Sequence, residues 1–372
     1  MTLDERPVDQ VTRVLHYGLS TNTGGIESYL LDLTRTIDRN RFQFGFTHVR
    51  DGVPCYQDEL TALGAEFFPV TPRRTSLRRN KSDLDSLFRS GAFDILHCHL
   101  NTLSYIEPIH AALRHDCRVL IHSHNSGAKR SLVTNVLHRF NFLTLPRDRV
   151  KMIAVSRLAG EWLFGKSADI TVVNNGIAVE KFRFNEQARQ QLRQQLDLED
   201  RFVVGSVAAF LPAKNHSFIL RVFQAVLATH ADAVLLLVGG GPLEARVREV
   251  AAELGIAERV KFLGRRSDVP ALLSAMDVLL LPSLFEGFPL AVLEAQAAGL
   301  PCVLSDVVTD EVVVTEHCRR LPLSWTPDVW AQSLLLPGPP DRGAAADRLA
   351  GSRYSLGGSV SAIQGVYEEM LL

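Results

Sequence analysis

This chain of 372 residues has almost no net charge, no closely spaced cysteine pair and no long apolar run. Its 40 lysines and arginines face 41 aspartates and glutamates, and the net charge of −1 argues against a general electrostatic attraction to nucleic acid. The longest apolar runs, residues 233–238 and 278–281, are much shorter than a membrane span. What the chain does have is a hydrophobic content of 46%, which is typical of a folded globular protein.

The cysteines form no recognisable disulfide or metal framework. They are odd in number and include no Cys-x-x-Cys pair: Cys55, Cys98, Cys117, Cys302 and Cys318. The first residues, Met-Thr-Leu-Asp-Glu-Arg-Pro, lack the apolar core of a signal peptide. Scattered free cysteines without a leader are typical of a reduced protein, so we expect a cytoplasmic location.

Short apolar runs alternate with helical stretches along nearly the whole chain, which predicts parallel sheets covered by helices. Strands are expected near residues 13–17, 43–49, 66–70, 94–98, 118–122, 152–155 and 171–173, and then near 202–208, 234–238, 260–263, 278–281 and 302–305. The segment 174–176, Asn-Asn-Gly, separates the two series and is a candidate hinge. After residue 340 we expect irregular chain until a final helix near 359–371. The pattern predicts two doubly wound α/β domains with a ligand between the carboxyl ends of their strands.

The most informative stretch is residues 283–301, which follows an apolar run and predicts a loop and then a helix. Pro289 suits the first helical position, where a missing N–H costs nothing. Gly299 and Pro301 are typical of a helix end. Residue 286 therefore falls in the loop and residue 294 inside the helix.

This loop is predicted to bind a ligand that carries both phosphate and sugar. The positive end of the helix dipole favours an anion there. Glu286 and Glu294 add acceptors for sugar hydroxyls. The backbone N–H groups available to the anion are those of Gly287, Phe288 and Leu290.

Three further segments carry weaker signals for the same chemistry. Gly24 and Gly25 follow the first predicted strand and suit a phosphate at a helix start, although a plain tight turn is an equal alternative. Lys214 lies between a strand and a helix, where it could neutralise a diphosphate; without the neighbouring motif it would be a solvated lysine. Residues 239–241, Gly-Gly-Gly, suit either close approach of a ligand or a simple turn.

Two predicted strands end in histidine pairs, His97 with His99 and His122 with His124. Residues two apart share a strand face, so four imidazoles could crowd one sheet edge. Zinc is conceivable there, but neither segment contains an acidic residue and short His-x-His motifs often match by chance. We favour a polar cluster that contacts sugar or phosphate, with hydrogen bonding inside the sheet as the plain alternative for His97 or His122.

A basic segment follows the third predicted strand, and we expect it to be a loop: Arg73, Arg74, Arg78, Arg79 and Lys81. It is either simply solvated or contacts anionic lipid or a lipid diphosphate. Asp83 and Asp85 look like the Asp-x-Asp motif of metal-dependent sugar-nucleotide enzymes. Because they fall in a predicted helix, 82–90, a charge at a helix N-terminus is the favoured role.

Taken together, these segments resemble the retaining glycosyltransferases of family 4, which have the GT-B fold, and among them the bacterial capsular and exopolysaccharide branch. The resemblance covers nearly the whole chain, and its specific part is the Glu-x₇-Glu segment with its flanks, 286–301. It implies an N-terminal Rossmann-like acceptor domain (1–177), a C-terminal nucleotide-sugar donor domain (178–353) that faces it across a cleft, and a final helix (354–372) that crosses back to the first domain.

The resemblance also implies roles for individual residues. Glu294 would hold the ribose and Glu286 the transferred sugar, with His99 beside it. Lys214 and the backbone of Gly25 would stabilise the departing diphosphate in place of a metal. The other implied contacts are Gly24 and the loop residues Gly287, Phe288, Pro289 and Leu290 for the donor, Gly264 and Arg265 beside the base, and His124 and Asn125 for sugar or acceptor.

One position departs from the family. The strand before Lys214 usually ends Gly-Arg-Phe, and here Ala209 stands in place of the arginine. Arg265 or Arg266 could substitute, the donor could be handled differently, or the protein could bind without turnover. Because both glutamates, the lysine and the Gly-Gly loop are present, we favour a working enzyme.

The predicted function is transfer of a sugar from a nucleotide-diphosphate sugar, UDP-sugar before GDP-sugar, to a lipid-linked glycan with retention. No metal and no cofactor are expected, and the location is cytoplasmic, with peripheral contact at the inner face of the cell membrane through the basic segment. The alternatives are a sugar-nucleotide epimerase or hydrolase of similar fold, and a non-catalytic sugar-nucleotide binder.

Overall fold

The computed structural model describes residues 11–21, 24–127, 131–339 and 341–372. The chain divides into two compact units. The first contains the described residues through Asn175 together with Leu356–Leu372, and the second is Gly176–Ser355. No helix among the described residues is both long enough and apolar enough to cross a membrane.

Within the described residues, the first unit alternates strands with helices from its start. Its strands are β1 (Thr12–Tyr17), β2 (Phe42–Val49), β3 (Glu66–Val70), β4 (Ile95–Leu100), β5 (Arg118–Ser123), β6 (Val150–Ala154) and β7 (Thr171–Val172). Its helices before the second unit are α1 (Gly25–Thr36), α2 (Gln57–Ala62), α3 (Leu77–Arg89), α4 (Glu107–Arg114), α5 (Leu132–Thr144) and α6 (Arg157–Phe164).

The second unit repeats this alternation. Its described strands are β8 (Val203–Val207), β9 (Val234–Val238), β10 (Val260–Gly264), β11 (Val278–Leu281), β12 (Cys302–Ser305) and β13 (Cys318–Leu321). Its helices are α7 (Glu186–Gln195), α8 (His216–Leu227), α9 (Glu244–Glu253), α10 (Val269–Ala275), α11 (Leu290–Ala297), α12 (Pro327–Leu334) and α13 (Ala344–Ala350). The last helix, α14 (Leu356–Leu371), belongs to the first unit.

Each unit is built on one parallel sheet, and the two sheets share a strand order. The first sheet runs β3-β2-β1-β4-β5-β6-β7 and the second β10-β9-β8-β11-β12-β13. Counted within each unit, both contain the order 3-2-1-4-5-6 of Rossmann-like domains. The predicted fold class, two Rossmann-like α/β domains, is confirmed. In each sheet the strand order reverses at one point, between β1 and β4 and between β8 and β11, and such a switch point opens a crevice at the carboxyl ends of the strands.

The strands are apolar because helices cover both faces of each sheet. Every residue of β9 and of β11 is buried. α14 closes one face of the first sheet, where Tyr367 is fully buried and its ring centroid lies 5.6 Å from that of Phe42. Two of the strongest strand signals in the sequence thus lie in the second sheet: β11 flanks the switch point and β9 is the next strand beyond β8.

Several local predictions were wrong. The basic segment is not a loop throughout: α3 begins at Leu77, so Arg78, Arg79 and Lys81 are helical. The helix therefore begins six residues before Asp83, whose carboxylate instead accepts from the N–H and hydroxyl of Thr71 at 2.8 and 2.6 Å.

Three more differences from the predictions lie in the second unit. Pro289 is the cap residue before α11 and not its first helical residue. Edge strand β13 was missed because two of its four residues are arginines, and α13 occupies chain that was expected to be irregular.

Candidate active site

Two loops meet at the switch point of the second unit. One follows β8 and carries Lys214; the other follows β11 and carries Glu286. The backbone N–H of Leu284 donates to the carbonyl of Ala213 at 2.7 Å. Asn215, in the left-handed conformation at φ 55°, donates through its side chain to the carbonyl of Pro282 at 3.2 Å. The two loops are therefore fixed to each other before any ligand arrives.

Lys214 and Glu286 form an ion pair at this point. The ammonium Nζ contacts carboxylate Oε1, and the Ser283 hydroxyl donates to the same oxygen at 2.8 Å. The side chains of Lys214 and Glu286 are 21% and 11% exposed, so the pair is largely removed from water but still reachable. Ser283 is held in turn by its carbonyl, which accepts from the Ser305 hydroxyl at 2.5 Å. The structure thus brings together the lysine predicted for the diphosphate and the glutamate predicted for the sugar.

The loop between Glu286 and α11 is packed from behind by an aromatic pair. Phe288 is buried and its ring stacks on that of Tyr354 at 6.0 Å with an interplanar angle of 10°. The Tyr354 hydroxyl donates to the carbonyl of Glu311 at 2.5 Å, which fixes the ring. Gly287 and Pro289 are buried too, Leu290 begins the helix, and Glu294 is half-buried inside it as predicted.

The glycines after β9 pack against the chain itself. Gly239 has φ +145°, and a Cβ there would lie 2.1 Å from the carbonyl oxygen of Ala208. The N–H of Phe210 donates to the carbonyl of Gly240 at 3.1 Å. The sequence left open whether these glycines allow close approach of a ligand or form a simple turn. The simple turn is supported, because Gly239 closely approaches the backbone of Ala208 at the end of β8.

Arg265 is better placed than Arg266 to serve the loop that contains Ala209. Gly240 contacts this loop, and its Cβ position lies 3.3 Å from the side-chain Cγ and Nε of Arg265. Arg266 is instead held by Asp268, with two hydrogen bonds of 2.7 and 2.6 Å.

Gly264 ends β10, and its carbonyl accepts from the N–H of Gly239 at 2.8 Å. The predicted base-side residues Gly264 and Arg265 are thus tied to the glycine turn after β9.

A histidine next to Lys214 is kept neutral. His216 is buried at the start of α8, and its ring stacks on Phe210 at 4.4 Å. Burial, together with the positive charge of Lys214, lowers the pKa of His216 to about 4. The positive charge at this loop therefore belongs to the lysine.

At the switch point of the first unit, four histidines lie on one face of three adjacent strands, and a fifth follows directly after β5. We call them the histidine cluster: His16, His97, His99, His122 and His124. Four of them are at most 5% exposed, and His124 lies at the more open edge. The sequence predicted the two pairs but missed His16, although it stands near the end of β1 as the others stand near the ends of β4 and β5.

Three of these histidines form a hydrogen-bonded chain. Nδ1 of His16 lies 3.0 Å from Nε2 of His99, and Nδ1 of His99 lies 2.8 Å from Nε2 of His124. A neutral imidazole has one donor and one acceptor, so both bonds must run in the same direction along the chain. One outer nitrogen then carries a hydrogen and the other a lone pair, and neither has a partner among the described residues. The predicted catalytic His99 is the middle member of this directional chain.

The rest of the cluster is sealed by two tyrosines. His97 contacts His122 at 3.2 Å and the hydroxyl of Tyr367 at 2.7 Å, while the ring of Tyr29 on α1 packs edge-on against His122 at 5.7 Å. Burial lowers the pKa values of His16 and His124 to about 3, and it is the main cause that lowers those of His97, His99 and His122 well below the usual value. Burial likewise raises the pKa values of both tyrosines.

The cluster also has the spacing of a metal site. In two triads, His16 with His97 and His99, and His99 with His122 and His124, one nitrogen of each ring lies within 4.8 Å of the others. Imidazole is a common zinc ligand. Hydrogen bonds between neutral rings account for the same short contacts, so the cluster supports a polar network without requiring an ion.

A cavity of about 540 Å³ opens beside the cluster at the carboxyl ends of the first four strands. Its lining includes His99, Arg73, Arg74, Asn80 and Tyr105. The guanidinium of Arg73 lies 5.0 Å from the ring centre of Tyr105. The structure thus brings two of the five residues of the predicted basic segment, Arg73 and Arg74, to the same cavity as His99.

The remaining predicted residues are spread around this edge. Gly24 is the cap residue of α1 and Gly25 its first residue. His124 and Asn125 follow the end of β5. Lys81 is engaged elsewhere, in an ion pair of 3.1 Å with Glu107.

Three other contributors could not be found from motifs, because each acts through a contact distant in sequence: Tyr354, Tyr29 and Tyr367. Ser283 lies only three residues from Glu286, at the start of the stretch 283–301, but no motif indicated its hydrogen bond.

The chain has two Rossmann-like units, and one switch point carries a lysine–glutamate pair and a loop before a helix. This combination defines the GT-B class of sugar-nucleotide proteins. Family models agree: "Glycosyltransferase Family 4" matches residues 23–181 and "Glycosyl transferases group 1" matches residues 188–321. The chain is 31% identical to "Putative glycosyltransferase EpsF" of Bacillus subtilis (strain 168) across 95% of this chain and 96% of that protein. The chain belongs to glycosyltransferase family 4.

More distant relatives agree with this. A galactosyltransferase of Escherichia coli, named "UDP-Gal:alpha-D-GlcNAc-diphosphoundecaprenol alpha-1,3-galactosyltransferase", is 26% identical across 79% of each chain. Among solved structures, HepE of Anabaena in complex with UDP superposes with a TM-score of 0.76 over 96% of this chain and all of its own, at 19% identity. At that identity the likeness supports the fold.

Proposed function

We propose that this glycosyltransferase moves a sugar from a UDP-sugar to a lipid-linked glycan with retention of configuration, in the synthesis of a cell-surface polysaccharide. The observation that carries the proposal is the Lys214–Glu286 pair, held by Ser283 at the second switch point beside the start of α11. A cation and a helix start suit a diphosphate, and a carboxylate suits sugar hydroxyls.

In this proposal the leaving diphosphate is stabilised without a metal. Lys214 supplies the charge, and the backbone N–H groups around Gly287 supply hydrogen bonds as negative charge develops on the leaving oxygen. Glu286 holds the sugar, Glu294 the ribose, and Arg265 takes over the charge that Ala209 lacks. No side chain serves as a nucleophile; the leaving phosphate accepts the proton of the acceptor hydroxyl.

For the acceptor we propose a glycan carried on a lipid diphosphate. The cavity beside His99 contains Arg73 and Arg74, and guanidinium groups suit phosphate oxygens. The Escherichia coli relative is named for a diphosphoundecaprenol-linked acceptor, which supports the same class here. In this proposal the enzyme meets such a lipid at the inner face of the cell membrane.

Product analysis tests this function. Purified protein is mixed with UDP-sugars and a short-chain lipid-diphosphate glycan, and products are identified by mass spectrometry. We expect a glycan one sugar longer and UDP. Free sugar or an epimerised UDP-sugar, formed equally well without acceptor, would instead assign a hydrolase or epimerase.

A matched pair of variants tests the site. Glu286→Gln keeps the shape of the side chain and removes its charge, and we expect transfer to fall by at least about 100-fold, as for loss of a transition-state contact. Glu258→Gln makes the same chemical change at an exposed position of the same unit and should leave transfer unchanged. UDP binding, measured by calorimetry, should persist in both. Full transfer by Glu286→Gln would contradict the assignment.

A further inference from the structure

Asn80 and Tyr105 connect two loops that border the cavity beside His99. Arg73 lies in the loop between β3 and α3, and Tyr105 lies in the loop between β4 and α4. Asn80, 4% exposed near the start of α3, donates from its side-chain amide to the carbonyl of Thr71 at 2.7 Å and accepts a hydrogen bond from the Tyr105 hydroxyl. Tyr105 is therefore tied, through Asn80, to the first residue of the loop that carries Arg73.

The far end of this connection is fixed as well. The carboxylate of Asp83 accepts both hydrogen bonds from Thr71 and also pairs with Arg50 at 3.2 Å. The amide of Asn80 is engaged at its donor end and at its acceptor end, and a buried amide that is satisfied in this way holds its neighbours in one arrangement. The ring of Tyr105 is thus set in place before any ligand arrives.

The ring of Tyr105 in turn holds the guanidinium of Arg73. The guanidinium carbon lies 5.0 Å from the ring centre, within the range in which an aromatic face attracts a cation. Contact with the ring face does not use the in-plane N–H groups of the guanidinium, so they stay available to phosphate oxygens. Both side chains line the cavity, and Arg73 is exposed to it.

The carboxylate beside Tyr105 is already neutralised by other cations. Burial, together with the negative charge of Glu107, raises the pKa of Tyr105 to about 12. Glu107 forms ion pairs of 3.1 Å with Lys81 and with Arg114. Within the described parts of the chain, no acidic side chain forms an ion pair with Arg73. The positive charge of Arg73 is therefore left for an anion in the cavity.

We propose that Tyr105 and Asn80 are positioning residues that hold Arg73 where it contacts a phosphate of the acceptor. This inference rests on the proposed function, in which the cavity binds a lipid diphosphate. A flexible arginine loses rotamer freedom when it binds, and an arginine that is held beforehand loses less. Tyr105 therefore strengthens acceptor binding without touching the acceptor.

Arg74 provides the comparison within the same cavity. It is exposed and lines the cavity like Arg73, but among the described residues it has no aromatic partner. If Tyr105 acts by holding Arg73, its effect depends on Arg73 and not on Arg74. If the bond between Tyr105 and Asn80 only stabilises the two loops, its effect is the same whichever arginine is present.

Calorimetric titration of the full chain with geranyl diphosphate tests the proposal. This probe has the lipid diphosphate and no sugar, and UDP is kept at saturation so that the donor site is closed to the probe. We expect Arg73→Ala to weaken probe binding at least about tenfold. Tyr105→Leu should weaken it about fivefold, because the ring is lost. Tyr105→Phe keeps the ring and loses the bond to Asn80, and should weaken it about threefold.

A double-mutant cycle separates positioning from a purely structural role. Added to Arg73→Ala, Tyr105→Leu should cause no further loss of probe binding, whereas added to Arg74→Ala it should again cause about a fivefold loss. Thermal unfolding shows whether each variant is folded. In steady-state transfer, Tyr105→Leu should raise the KM for the acceptor about fivefold and leave the KM for the UDP-sugar unchanged.

Three results would count against the proposal. Equal losses from Tyr105→Leu in both arginine backgrounds, or wild-type protein that does not bind the probe, would overturn it. Full binding by Tyr105→Phe would remove Asn80 from it. Because probe binding needs no turnover, a chain that fails to transfer sugar but shows the expected cycle would leave this inference standing, and transfer without the cycle would leave only the proposed function.

Discussion

Acidification should unfold the first unit before the second. The four most buried members of the histidine cluster, His16, His97, His99 and His122, have pKa values held far below that of a free histidine. In the unfolded chain each would titrate near about 6.5. Below that pH the unfolded state therefore binds more protons than the folded one, and stability falls as the pH falls. The stability that neutral histidines contribute is complete above the unfolded pKa and is lost below it.

The size of the effect follows from the number of histidines. At a pH one unit below about 6.5, each histidine that stays neutral in the folded state lowers the free energy of unfolding by about 1.4 kcal/mol. Four together give about 5–6 kcal/mol, which is a large share of the roughly 5–15 kcal/mol available to a domain. The carboxylates with lowered pKa values in this unit, Asp83 and Asp85, lose their contribution only at lower pH.

Hydrogen exchange measured by mass spectrometry can follow both units in one sample. Between about pH 7.5 and about pH 5.5, after correction for the intrinsic rate, peptides from β4 and β5 should lose about 5–6 kcal/mol of protection. Peptides from β8 and β9 serve as the internal control and should lose about 1.4 kcal/mol, from His216.

His16→Phe should reduce by one the number of protons that the first unit takes up on unfolding in acid, so its free energy of unfolding should depend less steeply on pH. Phe46→Leu, at the ring that stacks on His16 at 5.1 Å, should lower stability without changing that dependence. A loss below about 2 kcal/mol in β4 and β5 would show that the histidines are charged or hydrated in the folded state, and would refute the reasoning.

Three further predictions concern the second unit and the cluster. Arg265→Ala should raise the KM for the UDP-sugar about tenfold, because a contact to a charged group is lost. Arg266→Ala is the control and should change the KM little, because Asp268 holds the Arg266 guanidinium. Equal effects of the two substitutions would remove the special role of Arg265. Ser283→Ala should lower kcat by about tenfold with little change in UDP affinity, because it loosens Glu286; an unchanged kcat in steady-state assays would argue against this. Chelation with EDTA should leave transfer unchanged, and metal analysis should find less than one ion per chain; a stoichiometric metal lost together with activity would place an ion in the histidine cluster.

The sequence predicts those parts of the fold whose signals are local. β9 was expected at residues 234–238 and lies there, because a strand buried on both faces reads as an unbroken apolar run. β13 was missed because an edge strand needs no such run and here contains Arg319 and Arg320. Glu286 was placed in its loop and Glu294 in its helix from the cap and stop residues around them.

Contacts between distant segments could not be obtained in this way. Lys214 and Glu286 are 72 residues apart, and their pairing depends on β11 lying next to β8 across the switch point. His16 and His99 are 83 residues apart and meet because β4 lies next to β1. In both cases the residue type was visible in the sequence, whereas the neighbour was decided by strand order.

The Lys214–Glu286 pair is better explained by ligand binding than by stability. A largely buried ion pair costs desolvation and is often no better for stability than apolar residues of similar size. An ammonium has three donors, so Lys214 can keep Glu286 and also take a diphosphate oxygen. Glu286→Gln should therefore leave UDP affinity equal or higher, because the lysine loses its competitor, whereas Lys214→Ala should lower UDP affinity by about 1.5–3 kcal/mol. A purely structural pair would weaken UDP binding in both variants, and calorimetric titration of each with UDP separates the two cases by the sign of the change.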